Sequence, residues 1–149
     1  MPTLDHSPAE VIARLLVERG LGTDPDVYGT WPIYDSSEPD LPDQLVTVLD
    51  IAGSDDGVDM TSGDHWEHYG VRVFIRARTF SVGYPKAQAI AAQLDGEDGD
   101  DAVVDVGSKR YHVKSVHRIT EVIPLGKETT VSRRDRFQMD ARITIRVLV

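Results

Sequence analysis

The sequence predicts an α+β fold: a mainly antiparallel sheet of about five strands with two helices packed on one face, in the order helix, strand, strand, helix, strand, strand, strand. Three observations carry this reading. Two stretches place apolar residues at helical spacing behind capping residues. Others alternate apolar and polar with a period of two. The later strands are joined by connections too short for a crossover, which imposes antiparallel pairing. With 149 residues, 40% of them hydrophobic, the chain has the size of one domain, and a single domain over 1–149 is expected.

The elements follow in order. Ser7 can cap a helix, Pro8 suits its first turn and Glu10 completes a capping box. Val11, Ile12, Leu15 and Leu16 then form one apolar stripe, and Gly20 fits the stop. Residues 22–43 carry four prolines and read as a long loop anchored by Trp31, Ile33 and Tyr34. Leu45 to Ile51 is apolar on both faces, as an internal strand is, and Gly53 to Gly63 reads as an acidic loop. From Tyr69 to Ala77, apolar residues alternate with Arg72, Phe74 and Arg76, the pattern of a half-buried strand. A second helix is expected from Pro85, with a stripe of Ala87, Ile90, Ala91 and Leu94. Val103 to Val106, a Gly107-Ser108 turn and Lys109 to Thr120 form a hairpin pattern that sets Val104 opposite Tyr111 and Asp105 opposite Arg110. Residues 124–136 read as a basic loop, and Phe137 to Val149 as a closing strand.

Charge is segregated along the chain. The net charge is −9, which disfavours nonspecific binding to nucleic acid or anionic membrane. Between Gly20 and Val71 there are twelve acids and no Lys or Arg, and Asp95 to Asp105 adds six more acids. Residues 106–149 hold ten bases against four acids. By strand parity, the face away from the helices carries Arg72, Arg76, Arg78, Arg110, Lys114, Arg118, Arg142 and Arg146, with Val116 among them. Like charges side by side repel, so something acidic should lie against this face. Acidic loops of a neighbouring copy would serve, and heterologous contacts of that kind close into rings when the rotation allows. Arg72, Arg76, Arg78, Arg118, Arg142 and Arg146 are therefore candidate interface residues, joined by Lys127, Arg133, Arg134 and Arg136 of the basic loop. That loop exceeds the roughly 2–5 residues of an ordinary hairpin connection, and it is expected to be mobile until a neighbour orders it.

Chemistry-bearing motifs are absent. Without Cys there are no disulfides, thiol nucleophiles or iron–sulfur clusters. His65, Glu67 and His68 enter a strand, where three-residue spacing sends the two imidazoles to opposite faces, so no metal is expected. The Asp95–Asp101 run misses the calcium-loop pattern, and Gly126-Lys127 lacks the first glycine of a phosphate loop. No nucleophile elbow or dinucleotide fingerprint occurs, so neither catalytic residues nor a cofactor is assigned. No apolar run reaches the ~18 residues of a membrane span, and Met1–Ser7 is unlike a signal peptide, which points to a soluble protein made in the cytoplasm.

Several short phrases resemble one known group. They are Ser7-Pro8-Ala9-Glu10-Val11-Ile12-Ala13-Arg14-Leu15-Leu16, Trp31-Pro32-Ile33-Tyr34, Pro42-Asp43-Gln44-Leu45-Val46-Thr47-Val48 and Tyr69-Gly70-Val71-Arg72-Val73. Gly83-Tyr84-Pro85-Lys86-Ala87 and the stretch from Leu125-Gly126-Lys127 to Arg133-Arg134 complete the set. Together they resemble the tail-terminator, or tail-completion, proteins of long-tailed bacteriophages, sometimes called minor capsid proteins. The resemblance implies a structural virion protein, not an enzyme: a ring, typically of six copies, that caps the tail tube and offers the head-joining surface. It implies a tail tube protein and a head–tail connector as partners, host cytoplasm during assembly, and DNA that passes without specific binding. Asp55, Asp56, Asp59 and Asp64 would then line the lumen or rim, where like charge keeps phosphates from sticking. Another neck or head-completion subunit, or a monomeric domain binding a small ligand or nucleic acid, would also accommodate the basic face.

Overall fold

The first helix, α1 (Pro8–Glu18), forms as its capping residues dictate: the Ser7 hydroxyl accepts a hydrogen bond from the Glu10 amide at 3.2 Å. Its stripe of Val11, Ile12, Leu15 and Leu16 is buried. At its end the Leu21 amide donates to the Leu16 carbonyl and the Gly20 amide to Val17, with Gly20 at φ +77°. No atom lies within 4 Å of a Cβ built on Gly20, so Gly20→Ala is strained in its backbone alone. It should cost about 1 kcal/mol in urea unfolding, with the slope unchanged.

The computed structural model describes residues 4–27, 29–40, 42–58, 65–95, 101–129 and 133–148, the side chains of 53–58 and 65–67 excepted. After α1 come β1 (Ile33–Tyr34), β2 (Leu45–Val58), β3 (His65–Ala77), α2 (Phe80–Gln93), β4 (Ala102–Val106), β5 (Lys109–Arg118), β6 (Ile123–Lys127) and β7 (Asp135–Leu148). All seven strands join one sheet in the order β1-β2-β3-β7-β5-β4, with β6 paired to β7 off that path. The sheet is mixed, because β1 runs parallel to β2 while the other pairs are antiparallel. It curls into a half-barrel. The expected five-stranded antiparallel sheet is therefore corrected to a seven-stranded, curled and mixed one.

Each departure has a local cause. β1 is two residues long inside a proline-rich loop, too short to show a period. β6 contains Pro124 and Gly126 and is exposed throughout, so it reads as the start of the basic loop, yet it is an edge strand, where both residues are tolerated. The expected acidic loop at 53–63 is in part strand, since β2 runs to Val58 and β3 starts at His65. α2 begins five residues before Pro85, at Phe80, where the Thr79 hydroxyl accepts from the Val82 amide. Pro85 thus sits inside the helix. Gly83 lets this helix approach the sheet: a Cβ there would stand 2.5 Å from Phe137 Cε2.

The core lies between the sheet and the helices. Val71, Val73 and Ile75 of β3 oppose Ala141, Met139 and Phe137 of β7, all fully buried. α1 touches β1 and β2 on one side of the curl and β4 on the other, and α2 lies on β3 and β7. The β4–β5 hairpin has the expected register, with Val104 opposite Tyr111, Asp105 opposite Arg110 and Gly107 at φ +59° in the turn. A bulge between Val113 and Ser115 then reverses the parity of β5. It carries Val116 into the core and turns Arg118 to the helix-bearing face, where it reaches Asp95 at 3.4 Å.

Candidate interaction face

The face of the sheet away from the helices divides into two halves. Over one half lies the segment 35–43, which follows β1 and leads into β2. Its acids hold the arginines of β3 and β7. Glu38 takes Arg76 at 3.3 Å through one carboxylate oxygen and Arg136 at 2.6 Å through the other. Arg76 also donates to the carbonyls of Asp40 and Pro42. Arg134, just before β7, donates to Glu128, Asp43 and Asp40, including the Asp40 carbonyl. Arg78 meets Asp43 at 3.0 Å.

These are not ordinary surface pairs. Arg76 and Arg134 are both buried, at 3% exposure each. Burial pushes the Arg76 guanidinium below its usual value, and the positive charge of Arg134 adds to that. For Arg134, burial also pulls downward, but its hydrogen bonds to the carboxylates of Glu128 and Asp40, with their negative charge, more than offset it and leave the group above its usual value. Two buried cations side by side are tolerable only with the carboxylates in place. The segment 35–43 is therefore an acidic strap, and four arginines match three of its four acids, Glu38, Asp40 and Asp43, together with Glu128.

The remaining candidate residues are placed as follows. Arg72 is paired bidentately with Asp140 at 2.8 and 3.1 Å, which raises its pKa. Lys127 meets Asp135 at 2.8 Å. Arg133 is exposed, while its neighbour Arg134 is buried. Of the basic loop expected over 124–136, residues 124–127 belong to β6 and 135–136 to β7, Arg134 is buried, and residues 130–132 lie outside the described set. Arg142 lies exposed on the other half of the face, between Gly70 of β3 and His117 of β5. Arg146 is opposite His112. Asp59 and Asp64 lie outside the described residues, as do the side chains of Asp55 and Asp56.

Sequence reading missed the strap's acids, Glu38, Asp40 and Asp43, and Glu128 with them. A signal was present: the acidic segment ends where β2 begins, and Leu45 at that start pairs with Arg76. Among the described residues no group of three His, Asp or Glu could hold a metal ion, and no helix is long and apolar enough to cross a membrane.

No family model and no curated protein matches the chain. Eight solved chains do match. One whose description names no activity is 14% identical, covers 80% of this chain and 82% of its own length, and has a TM-score of 0.40.

Proposed function

We propose that this chain is a structural subunit of a long-tailed bacteriophage virion, a tail terminator. It caps the tail tube as a ring, typically of six copies, and offers the surface that joins the head. The observation that carries this reading is the segregation of charge on a single curled sheet: bases on the face away from the helices, acids in the loops and the β2–β3 hairpin. Complementary patches at different places on one subunit suit head-to-tail contacts, which close into rings. The short phrases shared with tail-terminator proteins support the same reading. On this account the chain acts through surface complementarity and uses neither catalysis nor a cofactor. DNA passes the acidic Asp55, Asp56, Asp59 and Asp64 without being held.

The test is reconstitution with the major tail protein of a long-tailed phage. Adding the chain to polymerising tubes should halt elongation and give tubes of limited length. Tubes that grow equally long with and without it would oppose the proposal.

A further inference from the structure

The strap divides the basic face into a half that is already neutralised and a half that is open. On the open half, Arg142 of β7 stands directly opposite His117 of β5, and the next pair along is Thr144 and Ser115. The Ser115 hydroxyl donates to Thr144 Oγ1 at 3.2 Å, and His68 Nδ1 of β3 lies 2.7 Å from the same oxygen. Gly70, opposite Arg142 on β3, contributes no side chain. Arg72, Arg76, Arg78, Arg118, Arg134 and Arg136 each hold a carboxylate of this chain. Among the described residues, exposed Arg142 and His117 meet none.

We propose that this open half, centred on Arg142 with His117, Ser115 and Thr144 beside it, receives a carboxylate-bearing segment of a second copy of the chain. The inference rests on the ring-forming reading above and narrows its interface to one half of the face. Two observations favour this occupant. The strap shows what the same sheet face accepts: an acidic segment offering carboxylates and carbonyls to guanidinium groups. And a chain of net charge −9 brings an excess of carboxylates to any contact between copies, which complements the exposed guanidinium of Arg142 and imidazole of His117.

Sedimentation velocity of the full chain over a wide concentration range, at low and high salt, tests this directly. Arg142→Glu should weaken self-association about tenfold or more, and salt should weaken the parent chain in the same direction. Arg19→Glu, with the same change of net charge on the exposed end of α1, should associate as the parent does. Circular dichroism and a urea midpoint check that both variants fold. Equal association of Arg142→Glu and the parent overturns the inference while leaving ring formation intact. A parent chain that stays monomeric in solution and unpaired on tail tubes overturns both. A monomeric chain whose Arg142 and His117 resonances shift with inorganic phosphate overturns it in favour of a free anion.

Discussion

Replacing Arg134 with methionine should destabilise the protein by about 2–4 kcal/mol, a fall in Tm of roughly 6–12 °C for a chain of this length. Methionine keeps much of the volume but removes the Arg134 donors to Glu128, Asp40 and Asp43, leaving Asp43 its contact with Arg78. Glu128 is only 14% exposed and Asp43 30%, so both carboxylates lose a partner where water replaces it poorly. Asp40 is 93% exposed and should contribute little to the loss. One effect works the other way, since Arg76 is relieved of a like charge nearby. The strap should loosen together with the pair, so cleavage by a protease within 35–43 should rise in the variant. A stability change below about 1 kcal/mol would mean that the strap is not anchored through Arg134.

Phe137→Ala should cost about 3–5 kcal/mol. The ring is fully buried, and the first turns of α2 rest on it, with Phe80 and Tyr84 centroids 5.3 and 6.2 Å away. Phe80 and Tyr84 stack on each other at 5.4 Å, and both are more than one-third exposed, so Phe137 supplies much of what holds them down. The helix there has little else in its favour, because Pro85 removes an amide donor from its interior and Gly83 is a poor helix former. Hydrogen exchange should therefore show α2 losing protection from Phe80 to about Ala87 before the sheet does. Uniform loss across the sheet and α2 together would place the helix in the same cooperative unit and contradict that local weakness.

What could be read in the sequence was what local rules determine. Ser7, Pro8, Glu10 and Gly20 bound α1 because capping involves only neighbouring residues, and Gly107-Ser108 set the register of a hairpin for the same reason. Pro85 misled because proline has a strong preference for a helix's first turn, while the true start depends on Thr79 and on Gly83 fitting against Phe137, a contact between distant residues. The bulge before Ser115 was invisible to a strict alternation, and with it the removal of Arg118 from the open face. Charge behaved likewise. That acids must cover the bases was plain from composition, but which acids depended on where the segment 35–43 runs, and that is fixed only once β1 lies beside β2.

The most direct test of the terminator role is electron microscopy of tail tubes assembled with the parent chain, with the ends of each tube scored. The account predicts a single extra ring at one end of every tube, built from copies of this chain, and no copies along the tube wall. Tubes with two bare ends, or with the chain bound along their sides, would contradict it.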